Sequence, residues 1–161
     1  MPGRFIIRTP LSSAEWDEVK QLLIAYESEF EDKTCFTSFE AEMKDIQQLY
    51  KQQDKVKLIA FDEESKKVAG CVALREFAPG VTEMKRLYVR PEYRGHHLGR
   101  LLAEAILQKG KEKKYNSMIL DTMMEMKSAQ KLYEELGFTI IPPYNQQDSN
   151  KIICFEKKLQ E

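Results

Sequence analysis

The stretch from Glu83 to Gly99 reads EMKRLYVRPEYRGHHLG, and it runs directly into the segment RLLAEAI. Its first residues belong to a β-rich run that starts at Val81, and a turn follows. After the turn, apolar residues recur at the spacing of one helix face, at Leu98, Leu101, Leu102, Ala105 and Ile106. The stretch therefore predicts a strand, a turn and an amphipathic helix that packs on a sheet.

The turn has the chemistry of a phosphate site. In the pattern Arg94-Gly95-x-x-x-Gly99, backbone N–H groups gather at a helix N-terminus, where the helix dipole adds about half a positive charge. Arg94 and Arg100 can add charge-assisted hydrogen bonds. An ordinary strand-to-helix turn with two convenient glycines is the alternative. The sequence contains neither Gly-x-x-x-x-Gly-Lys-Ser/Thr nor a leading Gly-x-Gly-x-x-Gly, which disfavours nucleoside triphosphates and NAD.

The rest of the chain predicts helices around one sheet. A short strand over residues 4–9 precedes a helix that begins at the capping pattern Ser12-x-x-Glu15, and a second amphipathic helix covers Phe39 to Tyr50. After this helix, apolar residues recur at every second position. Three such β-rich runs indicate an antiparallel meander of strands that ends at Val89. Because the next strand follows a crossover helix, we expect it to lie parallel to the third strand. The remaining predicted elements are a strand at 117–121, a helix at 128–136, and strands at 138–141 and 152–159.

The composition indicates which broad class of protein the chain belongs to. The 161 residues are 42% hydrophobic and 32% charged, with a net charge of −1, which describes one ordinary soluble domain. Lys and Arg number 25 against 26 Asp and Glu, so we expect neither a nucleic-acid partner nor attraction to an anionic membrane. The sequence shows no signal peptide and no long apolar run, which predicts a cytoplasmic protein. Three dispersed cysteines and two histidines predict no metal site.

The turn resembles motif A of the GNAT superfamily of acetyl-CoA-dependent N-acetyltransferases, which reads Arg/Gln-x-x-Gly-x-Gly/Ala at the start of the third helix. Arg94, Leu98 and Gly99 fit this pattern, and Gly95 has the common accessory place. His97 stands where the first motif glycine belongs. Further segments with counterparts in the family are EMKRLYV before the turn, LDT at 120–122, and Ala129-x-x-Leu132-Tyr133-x-x-x-Gly137-Phe138.

This resemblance implies a fold. We expect a single GNAT domain over residues 1–161, of a bacterial-type subfamily whose acceptor the sequence does not specify. The class is α/β (α+β), with a mixed, mostly antiparallel sheet of six to seven strands. About four helices flank the sheet, and a parallel strand-helix-strand unit lies at its centre.

The resemblance also implies where acetyl-CoA binds. The backbone of Leu87, Tyr88 and Val89 would pair with the pantetheine arm like an added strand. In many relatives an asparagine contacts the cofactor near the position of Met126, so this chain lacks one side-chain contact. The other implied cofactor residues are those of the pyrophosphate turn and one residue of the next helix, namely Arg94, Gly95, His96, His97, Leu98, Gly99, Arg100 and Ala129.

Two residues are implied to act in catalysis. Tyr133 matches the tyrosine that protonates the departing coenzyme A thiolate, although an aromatic residue packed on the sheet is the alternative. Ordinary pKa values of about 10 for tyrosine and about 8.5 for a thiol make this transfer unfavourable by about 2 kcal/mol, which a modestly lowered phenol pKa would remove. Glu83 has the strand position of a general base in some relatives. A surface glutamate paired with Lys85 is its alternative.

The implied reaction is direct attack of a primary amine on the acetyl thioester in a ternary complex. Its acceptor, a small molecule or a peptide, stays open, because its pocket is built by the first two helices and the loop from Tyr144 to Asn150, which carry no motif. A homodimer also stays open. Two other functions compete: a sensor or interaction module that binds acetyl-CoA without turnover, motivated by His97 and Met126, and a nucleotide-binding α/β domain.

Overall fold

A computed structural model describes residues 3–31, 33, 35–36, 38–144 and 150–160. Within these residues, seven strands form one sheet. They are β1 (Phe5–Arg8), β2 (Lys55–Asp62), β3 (Lys67–Ala78), β4 (Val81–Val89), β5 (Ser117–Met123), β6 (Thr139–Ile141) and β7 (Ile152–Lys158). Their order across the sheet is β1-β2-β3-β4-β5-β7-β6, and β4 with β5 is the parallel pair among antiparallel ones. The predicted mixed, mostly antiparallel sheet is confirmed.

The described helices are α1 (Ser13–Ser28), α2 (Phe39–Lys44), α3 (Ile46–Leu49), α4 (Leu98–Glu112) and α5 (Lys127–Glu135). At the start of α1, the Ser12 hydroxyl accepts a hydrogen bond from the Glu15 N–H at 3.2 Å, as the capping pattern predicts. The Glu15 carboxylate accepts from the Leu11 N–H just before the cap, at 2.8 Å, and from Arg8 of β1. The predicted second helix is divided at Asp45, whose extended backbone (φ −154°) ends α2 while its carboxylate caps α3.

Each face of the sheet carries its own apolar core. On one face α4 packs on the central strands, with a fully buried centre that includes Leu102, Ile106, Met118 and Phe155. On the other face α1 buries Val19, Leu22 and Leu23 against β2 and β3. Cys71 and Cys154 are buried strand residues, as their spacing suggested.

The parallel pair separates partway along its length. β4 and β5 pair at Val81, Thr82 and Glu83, and no pairing between them follows in these two strands. Along its other edge, β4 contains a bulge, because its steps from Lys85 to Tyr88 oppose the shorter segment of β3 from Ala73 to Cys71. The bulge places Arg86 in the left-handed region, at φ +61°. Bulges of this kind are frequent beside functional sites, where they redirect side chains.

Candidate active site

A cleft opens between β4 and β5 where their pairing ends. Its two strand walls are residues 84–87 of β4 and residues 120–123 of β5. Side chains from α1, α5 and the segments beside them close it: Tyr26, Phe30, Cys35, Phe36, Met126, Ala129 and Tyr133. An outer groove continues the cleft along β4, past Tyr88 and Val89 to Arg94. The two spaces share several lining residues, so a long ligand can occupy both.

The residues implied to bind the cofactor fall into two groups. Leu87, Tyr88, Val89, Arg94, Met126 and Ala129 line the cleft or its outer groove. The turn from Gly95 to Arg100 forms the start of α4. Within the turn the Leu98 side chain is buried in the core, whereas the side chains of His96 and His97 are exposed. The first turn of α4 has backbone N–H groups without partners inside the helix.

The backbone of the turn explains why the family motif has glycine where this chain has histidine. His97 is the N-cap residue of α4 and lies in the left-handed region, at φ +59° and ψ +26°. Glycine adopts this conformation without a steric penalty, while histidine is one of the side chains found there more often than most. His97 therefore retains the backbone conformation that the motif requires.

A chain of polar side chains anchors the turn to the hairpin between β2 and β3. The Tyr93 hydroxyl lies 2.7 Å from Ser65 Oγ, and Ser65 in turn donates to Asp62 Oδ2 at 2.7 Å. Arg4 Nε donates to Asp62 Oδ1 at 3.0 Å. This hydrogen bond from Arg4, with those from Ser65 and the Glu64 N–H, holds the pKa of Asp62 well below its usual value. The position of the turn thus depends on a buried carboxylate.

Charged groups also meet in the outer groove. Glu29, which ends α1, accepts a hydrogen bond from the Tyr88 hydroxyl and lies 3.8 Å from Nη2 of Arg94. Burial and this hydrogen bond raise the pKa of Tyr88 to about 12. Arg94 also donates from Nε to the Val89 carbonyl at 3.1 Å. A phosphate at the turn would compete with Glu29 for the Arg94 guanidinium.

Tyr133 lines the cleft and is 6% exposed. Its ring packs edge-on against Phe138, with centroids 5.8 Å apart, and at the same distance from Phe155. Burial, with a smaller effect from Asp121, raises the pKa of the phenol. The modestly lowered pKa that would remove the cost of this proton transfer is thus not found, because among the described residues no cation near the phenol offsets its burial.

Glu83 is 2% exposed, so the alternative of a surface glutamate is wrong. Its Oε1 accepts from Arg75 Nε at 3.1 Å, and its Oε2 accepts from the Tyr144 hydroxyl at 2.6 Å. Lys85, the partner expected from sequence, lies farther away, with Nζ 4.0 Å from Oε2. Glu83 is on the face covered by α2 and α3, whereas Tyr133 reaches the cleft from α5.

A second cavity lies on the face that carries Glu83. Helices α2 and α3 and their flanks provide one wall, and strands β2, β3 and β4 provide the other. The lining residues are Ser38, Ala41, Glu42, Leu49, Tyr50, Lys55, Ala73, Leu74, Arg75, Lys85 and Arg86. Lys85 and Arg86 line both this cavity and the cleft, so the two spaces adjoin the same residues of β4. The loop expected to complete an acceptor pocket, 145–149, lies outside the described residues.

Comparison with protein families identifies this arrangement. The model of the acetyltransferase (GNAT) family matches residues 16–138, which contain the cleft walls, the turn and Tyr133. The chain belongs to the GNAT family. It is thus an acyltransferase, as the motif resemblance implied.

Individual GNAT-family proteins also resemble the chain. A protein of Schizosaccharomyces pombe named as an uncharacterized N-acetyltransferase is 40% identical over 144 residues, which are 89% of this chain and 88% of that protein. N-acetylaspartate synthetase of Xenopus tropicalis is 36% identical over 99 residues, which are 60% of this chain and 36% of that protein. PaiA N-acetyltransferase of Thermoplasma acidophilum, solved in complex with coenzyme A, shares the fold with a TM-score of 0.71 at 19% identity, covering 96% of this chain and 98% of that one.

Some residues of this GNAT site were not identified from sequence. The apolar stripe of α1 predicts Tyr26 and Phe30 as core residues, but both line the cleft. Four methionines near the predicted strand β5 and helix α5 are candidates for lining an acyl or acceptor pocket: Met118 is fully buried in the core, Met123 and Met126 line the cleft, and Met124 is exposed. The buried ion pair of Glu42 with Arg86, at 2.8 Å, was also missed. Charged residues at alternate strand positions facing a helix were the available signal.

Two further findings concern metal sites and membrane-spanning helices in the described part of the chain. The described residues bring together no group of three His, Cys, Asp or Glu side chains that would hold a metal ion. None of the described helices combines the length and the apolar composition needed to cross a membrane.

Proposed function

We propose that the protein transfers the acetyl group of acetyl-CoA to a primary amine while both substrates are bound. One observation carries this proposal: the cleft that contains Tyr133 and the second cavity adjoin the same residues of β4, Lys85 and Arg86. Two substrates entering from opposite sides of β4 would place their reacting groups at this junction. The relative in Xenopus tropicalis is named for the synthesis of an N-acetylated compound, which supports an amine as the acceptor.

The cleft suits the long acyl donor. Beyond Glu83, the edge of β4 that faces β5 is not paired with it. An extended pantetheine arm can therefore bind the backbone of Leu87 to Val89 by β-strand addition. The pyrophosphate would lie at the N–H groups of residues 95–100, where the α4 dipole is favourable and Arg94 and Arg100 are close. Arg100 currently pairs with Glu135 at 2.6 Å, on the rim of this site.

The proposed reaction is an addition followed by an elimination. The neutral amine nitrogen attacks the thioester carbonyl carbon to form the new C–N bond, and an N–H near Leu87 stabilises the oxyanion. The C–S bond then breaks, and its electron pair leaves with sulfur. Tyr133 donates its phenolic proton to the thiolate, and the nitrogen loses a proton to Glu83, directly or through a water. The products are the N-acetylated acceptor and free coenzyme A.

Two protonation requirements determine these assignments. An ammonium of pKa about 10.4 must lose its proton at a free-energy cost of about 4.6 kcal/mol at pH 7, which calls for a base or a desolvating pocket. Glu83 is a buried carboxylate on the acceptor face of β4, two residues before the junction residue Lys85. The other buried carboxylate near the junction, Glu42, is already paired with Arg86. For the acid, burial raises the pKa of Tyr133, so the phenol stays protonated but its proton transfer costs more than the ordinary pKa values imply. The same apolar surroundings would also destabilise the thiolate that receives the proton, which offsets this cost.

We further propose that the protein works in the cytoplasm as a single domain on a small-molecule or peptide amine, without nucleic acid. The balanced charge of the chain supports the absence of a nucleic-acid partner.

A thiol-release assay tests the proposal. Purified protein is incubated with acetyl-CoA and a panel of amines, free thiol is measured, and acetylated products are identified by mass spectrometry. We expect thiol release that depends on an amine. Binding of acetyl-CoA without thiol release for any amine would instead favour the sensor, and preference for mononucleotides over coenzyme A would favour the nucleotide-binding domain.

A further inference from the structure

Strand register gathers cationic side chains on the wall of the second cavity. β2, β3 and β4 pair so that Lys57, Ala73 and Lys85 form one row across the sheet. The neighbouring row on the same face is Lys55, Arg75 and Glu83. Because Ala73 has only a methyl group, the space between Lys57 and Lys85 is not filled by the central side chain of their row.

Lys57 is buried without a hydrogen bond. Its side chain is fully inaccessible to solvent, and Nζ has no hydrogen-bond partner among the described residues. The nearest carboxylate oxygen, Oε2 of Glu42, is 3.7 Å away and already accepts from the Tyr50 hydroxyl at 2.8 Å. The other oxygen of Glu42 accepts from Arg86. Nζ also lies 4.7 Å from the centroid of the Tyr50 ring, a cation–π contact that provides no hydrogen-bond acceptor. A buried ammonium without a hydrogen bond is costly, and such groups in proteins usually have a hydrogen-bond partner.

The two cations at the cavity surface also retain unused donors. Lys85 is 10% exposed, and among the described residues its Nζ donates no hydrogen bond, since it lies 4.0 Å from Oε2 of Glu83. Arg75 donates to Glu83 from Nε, and its two terminal nitrogens have no acceptor within the described part of the chain. Burial lowers the pKa of Lys85, against the opposing effect of Glu83.

The charges around the cavity are unequal. Lys57, Arg75, Lys85 and Arg86 face two carboxylates, Glu42 and Glu83. Lys55 is neutralised separately by Asp54, and Asp121 acts on Lys85 from the side of the cleft. An anion in the cavity would balance this excess, whereas a polyamine would add to it.

We propose that the acceptor is an amine that also carries a carboxylate, and that Lys85 and Arg75 bind this carboxylate while Lys57 supplies positive charge behind the cavity wall. The assignment of this cavity to the acceptor rests on the proposed function. The acceptor carboxylate would accept hydrogen bonds from the unused donors of Arg75 and Lys85, and its amine would then lie towards the junction with the cleft. Amino acids are the simplest compounds with this chemistry.

A matched acceptor panel tests the inference by turnover. Aspartate, glutamate and alanine are compared with the corresponding carboxamides and with spermidine, at fixed acetyl-CoA. We expect kcat/KM to be at least tenfold higher for the carboxylates than for their amides. Equal rates for the amides, or preference for spermidine, would overturn the inference while leaving acetyl transfer to amines intact.

A binding experiment separates this inference from the proposed function. Succinate carries carboxylates and no amine, so its affinity for the protein in the presence of coenzyme A can be measured by calorimetry without turnover. We expect binding that Lys85→Met and Lys57→Met each weaken at least tenfold, while Lys111→Met, an exposed lysine of α4, leaves it unchanged. Succinate binding without thiol release from any amine would refute acetyl transfer alone. The melting temperature of each variant is measured to show that it is folded. Failure of succinate to bind, or equal succinate affinity in the wild type and in all folded variants, would refute the anion site.

Discussion

The Tyr144 hydroxyl donates a 2.6 Å hydrogen bond to Oε2 of Glu83, and it thereby links the segment after β6 to the point where β4 and β5 separate. Burial raises the pKa of Tyr144, so its hydroxyl remains a donor to the carboxylate. The ring of Tyr144 packs edge-on against Phe77 at 5.1 Å. Glu83 is thus oriented from two sides, by Arg75 and by Tyr144.

Glu83→Gln should lower kcat by roughly 100-fold, the usual contribution of a general base. Glutamine retains the shape and one acceptor of the side chain but cannot take up a proton at neutral pH. Tyr144→Phe should have a smaller effect, because it removes only one of the two orienting contacts. Steady-state kinetics of both variants are compared with Glu104→Gln, an exposed residue of α4. Wild-type kcat in a folded Glu83→Gln protein would exclude Glu83 as the base.

Tyr133→Phe should lower turnover at least tenfold and leave acetyl-CoA affinity nearly unchanged. The substitution removes the proton donor for the thiolate and preserves the ring that packs on Phe138 and Phe155. Turnover is measured with a good acceptor, and affinity by calorimetry. Tyr115→Phe is the matched control, since its hydroxyl bonds Glu76 outside the cleft. Unaltered turnover in Tyr133→Phe would remove this residue from its assigned role.

His97→Val should lower the free energy of unfolding by about 1 to 3 kcal/mol, because a β-branched side chain is strained in the left-handed region. It should also weaken acetyl-CoA binding, since relief of the strain moves the N–H groups of the turn. His97→Gly should change stability by less than about 1 kcal/mol and preserve binding, because glycine adopts this conformation freely. His96→Val, at a neighbouring position without a positive φ, is the control. Equal acetyl-CoA binding by the valine and glycine variants of His97 would contradict a phosphate-binding role for this backbone.

Asp62→Asn should lower the melting temperature by roughly 3 to 10 °C near pH 7, as expected when a buried hydrogen-bonded charge is lost. Because the pKa of Asp62 is lowered in the folded protein, its contribution is fully present above about pH 4 and is lost as the pH falls further. The difference between wild type and variant should therefore shrink in acid. Calorimetric scans from pH 3 to 7 measure it, with the exposed Glu64→Gln as control. A difference that stays constant across this range would show that the charge of Asp62 is not what stabilises the hairpin.

Much of the sheet could be predicted from sequence because its signals are local. Alternation marked the meander, and the apolar stripe of α4 fixed the parallel crossover to β5. The break of the second helix at Asp45 was missed, since an aspartate inside an otherwise periodic segment gives no clear sign of whether it caps. The sequence pattern also contained no sign that Glu15, besides accepting a backbone N–H at the helix start, accepts two hydrogen bonds from Arg8, a tertiary partner.

The site was predictable only where a motif covers it. The turn at residues 94–100 and Tyr133 have characteristic patterns, whereas Tyr26 has the same periodicity whether it faces a core or a cleft. The cluster around Glu42 joins residues 15 and 44 positions away, Lys57 and Arg86, so no local pattern connects them. Burial, which decided the direction of the Tyr133 pKa, also depends on side chains distant in sequence.

The strand β4 lies between two spaces that the proposed function assigns to different substrates. In that function, its edge towards β5 and the turn that follows would serve the acyl donor, whereas its face towards α2 and α3 would serve the acceptor. Residues proposed to bind the acceptor, such as Lys85 and Arg75, could then change without rebuilding the donor site. A redesign of acceptor preference in this protein should begin in α2, α3 and the cation rows, and leave residues 87–100 untouched.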